Sequence, residues 1–270
     1  KTKLFKLASR VGVINADDPS AETFRQAVKQ SVSYGLKSGD WRAQDINLSA
    51  HGSDYTVLID GDSYHIHVNI PGKFNVYNSL AAAAVGREVG LTKAQIERGI
   101  AALAGVEGRM TVVDAEQPFS AIVDFAHTPD SFERLLNDVR NTTKGKLVVL
   151  FGSAGRRDEA KRAIQGEIAG KYADEIVLTE EDDRDVDGNA ILSQIASGAE
   201  KAGKKREKNL FLVPDRTAAI NFAVSRVSGS KDTVIFLGKG HEKTIERADG
   251  AHLWNEIETV RQAILNIKAK

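Results

Sequence analysis

Ala121-Ile-Val-Asp-Phe-Ala-His-Thr-Pro129, then a helical run through Val139, then Lys146-Leu-Val-Val-Leu-Phe151 and Gly152-Ser-Ala-Gly-Arg-Arg-Asp158, is the stretch that decides the fold. Two short apolar runs, each leading through turn residues into an amphipathic helix, mark βαβ units on a parallel sheet. Ligands of such sheets gather at the carboxyl ends of the strands, which puts Asp124, His127 and the turn 152–158 on one rim. Thr128 is placed to cap the helix that follows, with Pro129 at its first position. Gly152-Ser-Ala-Gly155 offers backbone N–H groups at a helix start, a ready anion site.

Toward the C-terminus the same rhythm continues. Glu175–Thr179 precedes a helix from about 189 to 202, Asn209–Val213 precedes a helix over 216–227, and Thr233–Leu237 leads into Gly238-Lys-Gly-His-Glu242 and a last helix from about Glu256. Five strands with intervening helices predict an α/β fold with a doubly wound, mostly parallel sheet. Toward the N-terminus, Ala104-Gly-Val-Glu-Gly-Arg109 reads as a boundary, giving domains at 1–107 and 108–270. The upstream part opens with a helix over 1–8 and a strand, Val11–Asn15, that ends in an acidic turn. Period-two alternation in Asp54–Ile59 and Tyr64–Ile70, joined across Asp60-Gly61, predicts an antiparallel hairpin. Asn75–Val89 reads as an Ala-rich helix closed by Gly90, and Thr92 caps a second helix over 93–103. The chain enters an α/β domain midway, so it is expected to be a piece of a longer protein.

Lys plus Arg equals Asp plus Glu at 37 each, which provides no basic field for nucleic acid and no acidic tail. The absence of cysteine excludes disulfides and thiolate metal sites. No apolar run approaches the roughly 18–20 residues that span a bilayer. The sequence reads as a soluble, cytoplasmic protein without a membrane or nucleic-acid partner.

Several rim residues carry chemistry. Asp124 and His127 form a candidate acid/base pair, although turn caps of this kind are also structural. Thr179-Glu-Glu-Asp-Asp-Arg-Asp185 crowds five carboxylates around Arg184. Gly238-Lys-Gly-His-Glu242 places two glycines beside a Lys directly after a buried strand, allowing close backbone approach to a ligand. His65 and His67 share a strand face but have no evident third metal ligand and read as surface.

Taken as an ordered set, Gly108-Arg-Met110, Val123-Asp-Phe-Ala-His-Thr-Pro-Asp130, Gly152–Arg162, Asp215-Arg-Thr-Ala-Ala-Ile220 and Gly238–Glu242 resemble the motifs of the Mur ligases. Among these they are most similar to the members that add a diamino acid to UDP-MurNAc-L-Ala-D-Glu. Val13-Ile-Asn-Ala-Asp-Asp18 and Pro71-Gly-Lys-Phe-Asn-Val-Tyr-Asn78 are similar to that family's central ATPase domain. The resemblance implies a bacterial, cytoplasmic, monomeric ligase of peptidoglycan synthesis that uses ATP and Mg2+. A carboxylate of the UDP-MurNAc-dipeptide would be phosphorylated, and the acyl phosphate attacked by the amine of the diamino acid. By motif match, Asn75, Asn78, Arg109 and Asp124 would contact nucleotide, His127 would serve catalysis at the hinge, and Lys1 falls where the family carries a carbamylated lysine that helps hold the metal. Arg157, Asp182, Arg184, Gly238 and Glu242 would bind the incoming amino acid.

The departures from the family are specific. No G-x-x-x-x-G-K-[ST] segment occurs, so the phosphate-binding loop is expected to lie before Lys1, and this chain alone should not turn over ATP. The family's Asp-Asn-Pro-Arg motif aligns with Glu181-Asp-Asp-Arg184, which retains the arginine. Five carboxylates set against one cation lean the choice of amino acid toward L-lysine over meso-diaminopimelate, with Arg184 clamped by its neighbours. Folate-glutamate ligases and a noncatalytic nucleotide-binding module are the alternative readings.

Overall fold

A computed structural model describes residues 2–8, 10–49 and 52–268. The chain divides into two compact units, Lys1–Gly105 and Val106–Lys270.

Unit 1 runs α1 (Thr2–Lys6), β1 (Gly12–Asn15), α2 (Ala21–Arg25), β2 (Ser31–Gly35), β3 (Trp41–Ser49), β4 (Gly52–Ile59), β5 (Asp62–Val68), α3 (Lys73–Glu88) and α4 (Lys93–Ala101). The strands form one sheet in the order β1-β2-β3-β4-β5, parallel over the first three and antiparallel over the last three. The β4–β5 turn is the expected one. Asp60 and Gly61 both adopt positive φ (50° and 85°), as a two-residue turn matched to strand twist requires. Tyr64, Ile66 and Val68 of β5 face inward, while His65 and His67 face solvent, where His67 pairs with Asp54 at 2.7 Å. Thr92 caps α4 through a reciprocal box with Gln95. Val76, Leu80, Ala83 and Ala84 of α3 are fully buried.

The acidic turn after β1 is held by one carboxylate. Asp17 Oδ2 accepts from Leu36 N (2.7 Å), Lys37 N (3.0 Å) and Tyr77 OH (2.9 Å), and its Oδ1 accepts from Ser38 N and Oγ. Partial burial pushes its pKa up, but these donors outweigh it and bring the value from 3.8 down to about 2.

Unit 2 runs β6 (Thr111–Val112), β7 (Ser120–Asp124), α5 (Pro129–Thr142), β8 (Leu147–Phe151), α6 (Ala160–Tyr172), β9 (Glu175–Leu178), α7 (Gly188–Lys201), β10 (Leu210–Leu212), α8 (Arg216–Ser225), β11 (Thr233–Leu237), β12 (Thr244–Arg247), β13 (Gly250–Leu253) and α9 (Glu256–Lys268). Its main sheet has the order β10-β9-β8-β11-β7-β6, parallel except for the edge strand β6. Strands β8, β9 and β10 step one way, and β11 returns to insert between β8 and β7, so the sheet is doubly wound as expected. Side chains alternate across it. Val148, Leu150, Val177, Val234 and Phe236 pack against Ile220 and Val224 of α8 and Val260 and Ile264 of α9. On the other face Phe151 meets Phe132 of α5 edge-on at 4.9 Å. Thr128 and Pro129 start α5 as read, with Thr128 and Ser131 exchanging hydrogen bonds.

Helices α6 and α7 touch backbone to backbone. A Cβ added at Gly198 would lie 1.8 Å from Ala163 O, and one at Gly166 would lie 2.0 Å from Ile195 O.

Three strands of this unit go beyond the five expected. β6 is two residues long, and β12 and β13 form a separate antiparallel hairpin. Of the β12–β13 residues only Ile245 is buried, so no hydrophobic alternation announced the hairpin. Among the described residues no helix is long and apolar enough to cross a membrane.

Candidate active site at the carboxyl rim of unit 2

Because β7, β8, β9 and β11 are parallel, the loops that follow them emerge at one edge of the sheet. Asp124 ends β7 and is 5% exposed. Its Oδ2 accepts from Met110 N and its Oδ1 from Ala126 N, both at 2.8 Å. Burial pushes its carboxyl above the ordinary range against these two donors and Arg109. Asp124 therefore pins the strand-end turn that carries His127. Phe125 lies at the centre of that turn, with the Arg109 guanidinium 4.8 Å above its ring and His127 and His241 tilted against it at 4.7 and 5.1 Å. His127 Nδ1 lies 2.9 Å from Phe125 O, and Lys161 Nζ donates to the His127 carbonyl.

The expected anion cradle at Gly152–Gly155 has another use. Gly155 N donates to Asp182 O at 2.8 Å, and a Cβ at Gly152 or Gly155 would strike the carbonyls of Thr179 or Asp183 at 2.3 and 2.1 Å. The glycines let the loop after β9 lie directly on this turn, and the Gly155 N–H is spent on that loop.

That acidic loop is heavily paired with cations from outside it. Arg247 grips Glu180 with a two-pronged contact, Nε to Oε2 at 2.8 Å and Nη2 to Oε1 at 2.7 Å, while Arg216 N also donates to Glu180 Oε1 at 3.2 Å. Burial raises the Glu180 pKa, but Arg247 first and then Arg216 hold it below the ordinary value. Asp182 Oδ1 accepts from Lys239 Nζ (2.8 Å) and from Glu246 N (2.9 Å), and Asp185 pairs with Arg156. The premise of five acids against one cation is therefore corrected: Arg156, Arg216, Arg247 and Lys239 all reach in. Arg184 itself donates through Nη1 to Gly155 O at 2.7 Å and lies 3.9 Å from Asp182 Oδ2. Glu181 is different. Among the described residues no hydrogen-bond donor meets its carboxylate, and burial raises its pKa, opposed in part by the charges of Lys161, Arg216 and Lys239.

Beneath the loop, Arg216 is fully buried. It donates to both oxygens of Glu256 (2.9 and 2.6 Å), to Glu180 O (2.8 Å) and to Leu237 O (3.0 Å), and Trp254 Nε1 also donates to Glu256. This hub ties α8, α9 and the ends of β9 and β11 together. Gly238, with φ of +101°, follows β11 with Glu181 Oε2 2.5 Å from where a Cβ would stand. Lys239, 1% exposed, bridges Asp182 and Glu242 Oε2 at 2.8 Å each.

These loops enclose a cleft of about 640 Å³. His127, Arg157, Asp182, Arg184, Gly238 and Glu242, all candidates from the sequence, line it together. Asp158, Lys161 and Glu181 line it as well. Lys161 lies within the Gly152–Arg162 motif but was not among the sequence candidates, and its place in the first turn of α6, at the rim, is what could have marked it. Arg109 and Asp124 are not part of the cleft lining: Arg109 stacks on Phe125, and Asp124 accepts from Met110 N. Asn75 and Asn78 belong to unit 1, where Asn78 Nδ2 donates to Asn75 Oδ1 (3.0 Å) and Asn75 Nδ2 to Pro71 O (2.8 Å). They open an apolar groove of about 310 Å³ lined by Ile70, Ile96, Ile100 and Leu103. Lys1 lies outside the described residues. Among the described residues no group of three or more His, Asp or Glu could hold a metal ion.

A family model described as "Mur ligase, glutamate ligase domain" matches residues 108–240, and one described as "Mur ligase middle domain" matches residues 1–86. The chain belongs to the Mur ligase family. It is 39% identical to the UDP-N-acetylmuramyl-tripeptide synthetase of Roseiflexus sp. (strain RS-1), over 96% of this chain and 51% of that protein. With the protein of the same name from Deinococcus radiodurans the identity is 40%, over 98% and 54%. A solved UDP-N-acetylmuramoyl-L-alanyl-D-glutamate–2,6-diaminopimelate ligase superposes with a TM-score of 0.63 at 27% identity, covering 99% of this chain and 55% of its own. The chain thus spans about half the length of the Mur ligases it matches.

Proposed function

We propose that the protein containing this chain is an ATP-dependent ligase that joins a diamino acid to UDP-MurNAc-L-Ala-D-Glu through an acyl phosphate, and that the rim cleft of unit 2 receives the diamino acid. The observation that carries this reading is the convergence of Arg157, Asp182, Arg184, Gly238 and Glu242, from three separate loops, on one cleft.

The cleft's chemistry suits a zwitterion. Its lining carries the acids Asp158, Glu181, Asp182 and Glu242 and the bases Arg157, Lys161 and Arg184 beside His127. Carboxylates at Glu181 and Glu242 fit ammonium groups, and guanidinium groups at Arg157 and Arg184 fit carboxylates. With the outer acids paired, the excess that favoured lysine is gone. Arg184 lines the cleft with one guanidinium nitrogen on Gly155 O and Nη2 3.9 Å from Asp182 Oδ2, close enough to the opening to meet a second carboxylate, which favours the diaminopimelate class. Fixing the amine in this cleft would supply much of the rate by placement alone. ATP is the phosphoryl donor in this reading, with Asn75 and Asn78 of unit 1 and, separately, Arg109 and Asp124 of unit 2 as the residues proposed to contact nucleotide. Mg2+ is expected of the family, but the described residues offer no donor cluster for it.

The test is ligation by the complete protein with ATP, UDP-MurNAc-L-Ala-D-Glu and either amino acid in competition. Phosphate release that requires both the dipeptide and a diamino acid is expected, with meso-diaminopimelate outcompeting lysine and Arg184→Ala erasing that preference by about tenfold. Nucleotide binding without ligation of any amino acid would instead make this a nucleotide-binding module.

A further inference from the structure

The loop Glu180–Arg184 is held from behind by a hairpin that does not itself line the cleft. Four contacts converge from β12. Arg247 forks onto Glu180 at 2.7 and 2.8 Å, Glu246 N donates to Asp182 Oδ1 at 2.9 Å, Arg184 N donates to Glu246 O at 2.9 Å, and Arg184 and Arg247 form a parallel bridge. Arg184 needs such support, because its φ of +55° is a left-handed conformation that a non-glycine residue holds only when its surroundings over-determine it. The hairpin is fastened in turn by the buried Ile245 and by Trp254 N donating to Lys243 O at 2.8 Å.

We propose that Arg247 is a positioning residue for amino-acid recognition: through Glu180 and the β12 backbone it fixes where Asp182 and Arg184 present their charges to the cleft. The proposal rests on the reading of the cleft as the diamino-acid site. Arg247 is suited to such a role because it is the partly exposed end of the brace. Its side chain is 39% exposed while that of Glu180 is 11% exposed, so its loss loosens the loop without opening the core. Arg216, the other cation on Glu180, is fully buried and serves the fold as a whole. The planar fork matters more than the charge, since only a guanidinium reaches both Glu180 oxygens at once.

Two measurements on Arg247→Ala, Arg247→Lys and Glu180→Gln test this. In ligation by the complete protein, Arg247→Ala should raise KM for the amino acid about tenfold and leave kcat and KM for ATP within about twofold. Arg247→Lys should fall between wild type and Arg247→Ala, and Glu180→Gln should match Arg247→Ala. In amide hydrogen exchange on the 270-residue chain, Arg247→Ala should speed exchange at Asp182–Arg184 while β7 and β8 keep their protection. An unchanged KM for the amino acid, or a joint loss of kcat and ATP affinity with faster exchange throughout the sheet, overturns the proposal. If the parent protein ligates no amino acid, the functional reading fails by itself. The exchange experiment still decides whether the brace orders the loop, and unaltered exchange at Asp182–Arg184 sinks it.

Discussion

Asp17 and Glu180 each stand where a strand runs out into a turn, and each carboxylate is fully occupied, yet they are held by opposite means. Asp17 is surrounded by neutral donors, three backbone N–H groups and two hydroxyls, all from a short loop and one helix of unit 1. Glu180 is held by the guanidinium of Arg247 and the backbone of Arg216, and Arg216 in turn neutralises Glu256. A carboxylate on neutral donors is a local staple whose removal leaves a few N–H groups that water can reach. A carboxylate in a chain of charges is one link among several, and cutting the chain leaves other charges buried and alone.

The largest effect expected from this contrast is at Arg216. Arg216→Ala strands the Glu256 carboxylate at 0% exposure and leaves two buried carbonyls without their donor, a loss on the order of 3–5 kcal/mol. Urea denaturation should show the unit 2 transition collapsing. The double replacement Arg216→Met with Glu256→Leu should recover most of the stability, and equal damage from the double variant would assign the loss to packing rather than charge.

A smaller effect is expected at Asp17, where Asp17→Ala should cost about 1–3 kcal/mol in unit 1. The sign of its pH dependence follows from the depressed pKa. Because the folded value is about 2 and the ordinary one 3.8, the stabilisation is complete above about pH 4 and is lost as pH falls toward 2. Acid titration of unit 1 unfolding should therefore lose much of its slope between pH 4 and 2 in Asp17→Ala, and an unchanged slope would move the acid sensitivity elsewhere.

The smallest stability change is expected at His127, whose ring makes one contact to Phe125 O and packs on the Phe125 ring. His127→Ala should shift stability by no more than about 0.5 kcal/mol while lowering turnover of the complete protein. Loss of melting temperature in step with activity would make it a turn residue alone.

Much of this was legible in the sequence because it is local. Thr92, Thr128 and Pro129 mark helix starts through atoms three or four residues away, and Asp60-Gly61 fixes its hairpin by φ alone. The strands of unit 2 announced themselves because a parallel strand buried on both faces is an uninterrupted apolar run, as in Leu147–Phe151. The acidic loop was misjudged for the complementary reason. Its charge could only be counted along the chain, whereas its counter-ions come from Arg216, Lys239 and Arg247, 30 to 70 residues away on other elements. The β12–β13 hairpin was missed because it braces a loop rather than covering a core and so carries one buried side chain. The motif glycines at 152 and 155 read as an anion cradle, and in the fold they let the loop after β9 lie against their turn.

The glycine contact between α6 and α7 bears on how this domain can change over generations or in a laboratory library. With Gly166 and Gly198 leaving their neighbours no room for even a methyl group, these helices behave as one plate of fixed width. That plate spaces the turn carrying Arg157 from the loop carrying Asp182 and Arg184. Randomising the cleft residues therefore explores new amino-acid substrates within a constant frame, whereas a single added carbon at either glycine resizes the frame and every pocket drawn on it. Variants with new substrate range should be recovered with both glycines untouched, and the outer surface of α5 should accept almost anything.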